Sequence, residues 1–403
     1  MKSAIFYSAS LLLIACGGKG TVDLGANGAS RGWADTRSSG VAGASAVPNP
    51  AVPQTLYDGG ETVLAIAVDG DTFAAMIDEL SLDAACRTRI DVCDVRDCKG
   101  TIETIHTDSY CGVGLDSDLI ISHGEILWSE LAVDSTHADR IMACPIRDCN
   151  DRPKQVVLGS RTGYSTLVRG TFSADADYVY WIERRDTFEG VARYPRVGSV
   201  ASEFKAFSPE IASMVEDHTG PTRMLSDEAN RMIYVQRGRT IARMASDLAT
   251  DPSVFYQDSM PLGEMALVGG YLYFTVSSLI GGIRRCPTSG CDQGSELVVD
   301  APHWPSNFVA DDKAMYWMHK ADSGRTSPSS GNEFGDSDSA AISTSLIDGS
   351  NGTRLLVPTF QVYTHGTGRW AFGPVMNTQH IYWCDVTAMK GSFFPRSIRM
   401  MAR

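Results

Sequence analysis

Residues Asp175 to Trp181 read DADYVYW: an acidic turn, then a short apolar run closed by an aromatic pair. The same pattern returns as DDKAMYW ending at Trp317 and NTQHIYW ending at Trp383. Weaker copies are SHGEILW ending at Trp128, VGGYLYF ending at Phe274, EANRMIYV ending at Val235 and VDGDTFA around Phe73. These seven copies recur about every 40 to 65 residues, a period that points to propellers or solenoids.

Each copy belongs to a unit of four short strands. In the fifth unit EMALVG is the inner strand, YLYFTVS the second, GIRRC the third and SELVVD the outer one. All are rich in β-branched or aromatic residues and are bounded by Gly, Pro, Asp or Ser. No stretch of comparable length carries a capped helical period. Tandem four-stranded units give an all-β fold, a β-propeller. The seventh unit runs RWAFGP, HIYWCDV and RSIRMMAR and then stops without an outer strand. Just before the first unit lies PQTLYDG, from Pro53 to Gly59, which looks like the outer strands SELVVDA and TRLLVPT. The reading is therefore seven four-stranded blades, with the N-terminal strand completing the last blade and hiding two sheet edges.

The Tyr-Trp pair on the second strand, the acidic residue upstream and SLIDGSNGTRLLV from Ser345 resemble the YWTD and NHL-type propellers. The resemblance covers roughly residues 56 to 403. It implies a Leu-Asp-Gly-Ser-like turn between third and fourth strands, and a role as a binding platform. YWTD propellers usually have six blades, whereas seven units are counted here. A propeller fold hosts many functions and fixes none.

Three near-identical cysteine clips, Cys93–Cys98, Cys144–Cys149 and Cys286–Cys291, stand where the sixth unit has Ile347-Asp348-Gly349-Ser350. Cysteines flanking a four-residue hairpin loop come within bonding distance. Zinc sites favour C-x2-C pairs that converge, whereas these are C-x4-C pairs on different blades. The clips read as disulfides, stapling the face opposite the one propellers usually bind with. Cys86 and Cys111 fall in loops of the binding face and could form a fourth pair. Cys384, inside a strand, reads as a buried free thiol.

The chain opens MKSAIFYSASLLLIACGG. Lys2 precedes an apolar run too short to span a bilayer, which fits a secretory signal. Its end, Leu13-Ile14-Ala15-Cys16, resembles the lipobox of bacterial lipoproteins. That resemblance implies cleavage after residue 15, acylation of Cys16 and, with Gly17 next, sorting to the outer membrane of a two-membrane bacterium. The lipid bilayer is then a partner through Cys16, held by more than one acyl chain as stable anchoring requires. Residues 16–55 are rich in Gly, Ala, Ser and Pro and read as a flexible linker ahead of the propeller at 56–403. The G-x-S-x-G match at Gly28 to Gly32 lies in this linker without the strand and helix that motif needs. A net charge of −13 and the lack of a Lys/Arg-rich run argue against nucleic acid as a partner.

The Tyr-Trp pairs read as core, packing blade against blade. Four histidines, His106, His218, His303 and His365, fall in expected crossings of the binding face. HTDSYC, with His106, Asp108 and Tyr110, and PHWPS, with His303 and Trp304, mix polar and aromatic groups as binding loops do. No carboxylate pair, Ser/His/Asp set or phosphate loop is assignable from spacing, and no cofactor or metal is expected. The acidic NEFGDSDSA near Asp336 lacks the EF-hand pattern. Three roles remain: a binding platform for a protein or glycan, a lyase- or glycosidase-type propeller enzyme, and a structural subunit of an envelope assembly. The second needs a His, Tyr, Arg or carboxylate cluster at the channel top. The third needs a large apolar patch on one rim.

Overall fold

The computed structural model describes residues 53–58, 61–80, 86–108, 118–130, 140–149, 153–158, 166–185, 188–198, 202–215, 222–276, 281–301, 305–320, 338–362, 374–385 and 397–403. Among them, seven four-stranded antiparallel sheets form a ring of blades. Blade one is β2 (Thr62–Asp69), β3 (Thr72–Leu80), β4 (Cys86–Asp94) and β5 (Glu103–Asp108). Blade two is β6 (Leu119–Ser122), β7 (Glu125–Glu130), β8 (Arg140–Pro145) and β9 (Lys154–Leu158). Blade three is β10 (Thr166–Ala174), β11 (Tyr178–Arg185), β12 (Phe188–Pro195) and β13 (Glu203–Ala206). Blade four is β14 (Thr222–Asp227), β15 (Met232–Arg237), β16 (Thr240–Ala245) and β17 (Ser253–Gln257). Blade five is β18 (Leu262–Val268), β19 (Tyr271–Val276), β20 (Gly282–Pro287) and β21 (Glu296–Asp300). Blade six is β22 (Ser306–Ala310), β23 (Ala314–Lys320), β24 (Asp338–Leu346) and β25 (Arg354–Val362). Blade seven is β26 (Val375–Met376), β27 (His380–Asp385) and β28 (Ser397–Ala402), completed by β1 (Gln54–Asp58), which pairs antiparallel with β28 from Gln54↔Met400 to Asp58↔Ser397. The expected closure by the N-terminal strand is thus observed. The segment read as the inner strand of blade seven, 369–374, falls almost wholly outside the described residues, and the described inner ladder is Val375–Met376.

The recurring motif has a local physical cause. The carboxylate of Asp175 accepts from the backbone N–H groups of Asp177 at 2.9 Å and Tyr178 at 2.8 Å, which folds the inner hairpin. Its second oxygen accepts from the Tyr180 hydroxyl at 2.6 Å, tying turn to aromatic pair. Asp311 caps its hairpin through Lys313 and Ala314, and Asn377 through Gln379 and His380. Short Asx side chains suit this because they mimic a backbone turn.

The aromatic pair then splits between two interfaces, because neighbours in a strand face opposite sides of the sheet. Tyr180 packs forward against blade four, with Met224, Ile233 and Met244. Trp181 packs backward against Leu127 and Ile141 of blade two. Tyr234, Tyr273, Tyr316 and Tyr382 point forward in the same way, while Trp128, Phe274, Trp317 and Trp383 point backward. The hydrophobic core is accordingly seven seams, one between each pair of blades. Two seams differ: Ala74 stands in the tyrosine position opposite Trp128 between blades one and two, and Leu127 opposite Trp181 between blades two and three.

All three expected disulfides are present, with Cα–Cα distances of 4.9, 5.2 and 5.3 Å. They lie at the turns between third and fourth strands, as expected, and their sulfurs are in addition buried inside the seams. Cys93 and Cys98 lie with Tyr382, Cys144 and Cys149 with Ala74, and Cys286 and Cys291 with Tyr234. Blade four has Leu248 in the same role and blade six has Ile347. The clipped turn also presents acceptors to the preceding blade. Thr288 O accepts from Tyr234 Oη at 3.3 Å and from Arg243 Nη1 at 3.0 Å, and Ser289 O from the same guanidinium at 3.2 Å. In blade six the turn has no disulfide and relies on Gly349, at φ +74°, where a Cβ would lie 2.2 Å from Val298 O.

Two short helices were not expected from the pattern. One, α1 (Cys98–Thr101), completes the first clip. The other, α2 (Pro209–Val215), leads toward blade four, buries Ile211 in the seam between blades three and four, and has Ser208 Oγ accepting from Ile211 N–H. Cys86 opens β4 opposite Leu80 and so lies in a strand, not a loop. Its side chain and all of Cys111 lie outside the described residues, as do Cys16 and the linker up to residue 52. Cys384 is a buried free thiol, as expected, and burial pushes its pKa well up.

Candidate binding face

The ends of the strands define two faces. At the entry end each inner strand begins, the second strand finishes and the third starts. The clips and capped inner hairpins lie at the exit end. Regular pairing of the inner strands breaks at the entry end in four blades. Register slips between Val63 and Ala65 in β2, Leu167 and Phe172 in β10, Leu262 and Met265 in β18, and Ser306 and Val309 in β22. Such bulges re-aim side chains and are enriched beside functional sites. Glu264 sits in the β18 bulge. Asn307 sits in the β22 bulge at φ 44°, left-handed backbone that a non-glycine residue adopts only at a cost. Arg223, on the unbulged β14, grips Glu264 with Nε and Nη2, one on each carboxylate oxygen. Three successive inner strands therefore each bring a polar side chain to the entry end.

Further out, charged groups lock the seams at this same end. Between blades seven and one, Arg89 donates to Glu61 at 3.0 and 2.7 Å, to the Tyr57 hydroxyl at 2.9 Å and to Asp91 at 2.9 Å. Tyr57 in turn donates to Glu61 at 2.7 Å. The Arg89 hydrogen bonds hold the Glu61 carboxyl below the usual range, and burial followed by the Glu61 bond raises Tyr57. Between blades three and four, Glu189 receives Arg184 Nη2 at 3.0 Å and the Arg237 guanidinium.

His106 was expected in an exposed crossing. It instead lies in the outer strand β5, buried, where His106 pairs with Ile90 and Thr104 with Asp91, leaving Ile105 as a bulge between them. Its ring meets Trp128 at 5.1 Å, and its Nε2 lies 3.9 Å from Glu130 Oε1. Glu130 is only 2% exposed and also receives the Trp128 indole N–H at 2.7 Å and Arg140. The histidine thus helps fill the seam in which Ala74 stands in place of a tyrosine. Asp108 ends β5, paired with Thr88. Tyr110, His218, His303, Trp304 and His365 lie outside the described residues. Sequence reasoning missed Arg223, Glu264 and Asn307. The available signal was Gly263, an isolated glycine inside a strand pattern, which marks a bulge. Among the described residues no group of three or more His, Cys, Asp or Glu is placed to hold a metal ion. No described helix is long and apolar enough to cross a membrane.

No family model matches the chain, and no curated protein does. Solved structures do. A chain of the mitotic checkpoint complex aligns with a TM-score of 0.51 at 10% identity, over 92% of this chain and 99% of that one. One of two prolyl endopeptidases characterised for inter-domain dynamics aligns at 0.50 and 12% identity, over 84% of this chain and 48% of that one. Prolyl oligopeptidase B from Galerina marginata aligns at 0.47 and 10% identity, over 76% of this chain and 42% of that one. This chain therefore spans about half the length of the two peptidases it matches. Likeness at such identities shows the fold alone.

Proposed function

We propose that this protein is an extracytoplasmic binding platform, anchored to the membrane through acylated Cys16, which takes a protein or glycan ligand on the entry face of its propeller. The convergence of inner-strand bulges at the entry end, with strained Asn307 beside the Arg223–Glu264 pair, is the observation that carries the reading. Rigid strands at a channel mouth are a common place for recognition groups, whereas the exit end is filled by capped hairpins and seam plugs. Three disulfides suit an oxidising, extracytoplasmic compartment. The Leu13 to Cys16 box and the linker supply the anchor.

Amide hydrogen exchange tests the reading. The purified chain is compared with and without solubilised envelope material, separated into protein and glycan fractions. Protection is expected in segments 222–224, 262–265 and 306–308 with one of the fractions. Protection confined to the exit-end turns 196–198, 246–250 and 288–291 would overturn it.

A further inference from the structure

We propose that the entry end of the seam between blades one and two is a subsite for a primary ammonium group of the ligand, formed by Asp78 with Thr62 and Thr88; this rests on the entry-face reading above. The three residues make one row across blade one, with Thr62 opposite Asp78 and Asp78 opposite Thr88. Side chains directly opposite in antiparallel strands share a face and stand about 5 Å apart at Cβ. That face is turned to blade two, because Met76 and Ile90, two residues from Asp78 and Thr88, pack there with Trp128. The register slip between Val63 and Ala65 lies directly beside Thr62.

The row offers acceptors that the fold itself leaves unused. Thr62 is 3% exposed, and its Oγ1 has no hydrogen-bond partner among the described residues. Asp78 is half-buried, and no described residue donates a hydrogen bond to it or pairs it with a cation. Burial therefore pushes its carboxyl up with nothing to oppose the shift. Other carboxylates on this face are compensated: Glu61 has Arg89, Glu130 has Arg140, Glu189 has Arg184 and Glu264 has Arg223. An unpaired buried hydroxyl and a desolvated carboxylate both cost stability until a donor arrives. A primary ammonium brings three N–H donors and no acceptor, so it serves the carboxylate at the centre of the row and one hydroxyl on either side. A guanidinium is instead a planar fork matched to the two oxygens of one carboxylate. All three side chains stand on paired strands, which keeps the acceptors in place. The net charge of −13 favours the approach of a cation.

Two probes, Nα-acetyl-lysinamide and glucosamine, are titrated at fixed ionic strength while the backbone amide resonances of residues 62, 78 and 88 are followed by NMR. Saturable shifts at millimolar concentration are expected with at least one probe. Asp78→Asn should weaken binding about tenfold, since bonds to charged groups are the strong ones, and Thr62→Val about fivefold. Neither change should lower the melting temperature at neutral pH. Asp78→Asn removes a group whose raised folded pKa costs stability once it ionises, and Thr62→Val removes an unpaired hydroxyl. Asp71→Asn at the exit end should leave binding unchanged. Saturation by the lysine probe alone identifies a protein side chain as the source, and by glucosamine alone an amino sugar. No saturation by either probe, or wild-type affinity in Asp78→Asn, overturns the proposal. If envelope material still protects the entry end in hydrogen exchange after that result, only the subsite falls. If protection moves to the exit end, the platform reading falls too.

Discussion

Truncating Leu56 to alanine should destabilise the whole ring, although the residue lies near the start of the described residues. Leu56 is 5% exposed and packs in the seam between blades seven and one, with Val63, Ile66, Phe73 and Ile398. Deleting a buried leucine side chain costs about 3 kcal/mol, from lost transfer energy plus the cavity left behind. Residues 49–403 form one compact unit. At about 2.1 cal/mol/K per residue, its unfolding entropy is about 0.7 kcal/mol/K. The expected fall in melting temperature is therefore about 4 °C, read by calorimetry at neutral pH. The control is Leu297→Ala. Leu297 is exposed on the outer strand of blade five, and its loss should move the midpoint by less than about 1 °C. The denaturant slope should stay that of wild type, since the same surface is exposed on unfolding. If Leu56→Ala shifts the midpoint no more than Leu297→Ala, β1 does not fill that seam and the ring is not closed by the N-terminal strand.

Four further outcomes are expected. Replacing Cys286 and Cys291 with alanine should cost about 2 kcal/mol from loop-closure entropy, or about 3 °C by calorimetry without reductant. Cys384 should resist iodoacetamide at pH 8 until the protein is unfolded, because burial raises its pKa and shields the sulfur; rapid native-state labelling would contradict this. Glu61 is held below its ordinary value of 4.5 by Arg89, so its contribution is present above the unfolded value and is lost as pH falls through the folded one. The midpoint gap between wild type and Glu61→Gln should thus be constant near neutrality and shrink below about pH 4.5. Cys16→Ala should release the exported protein from the membrane fraction, and unchanged tight retention would rule out acylation there.

The fold was legible because its determinants are local. Asp175, Asp311 and Asn377 close their hairpins with backbone groups two and three residues on, so the motif DxxxxYW carries its own geometry. Closure was legible because Leu56 repeats the pattern of the other outer strands. The entry face was less so. Glu264 and Asn307 matter because bulges turn them, and a bulge is decided by what the neighbouring strand and blade allow. His106 misled because a polar residue near a strand end reads as loop, while the space left by Ala74 takes its ring into the seam. The clips were placed correctly by spacing. That their sulfurs plug seams depends on the side chain offered by the preceding blade, which no spacing records. The helix Pro209–Val215 is only two turns long and leaves little period to detect.

The most direct test compares the two ends of one blade in living cells. Phe188 opens β12 at the entry end and is 59% exposed; Val197 follows the same strand at the exit end and is 89% exposed. A photo-crosslinking phenylalanine derivative is placed at each position in turn and the cells are irradiated. The account predicts a discrete cross-linked species from position 188 and none from position 197. A species formed from position 197 alone would contradict it.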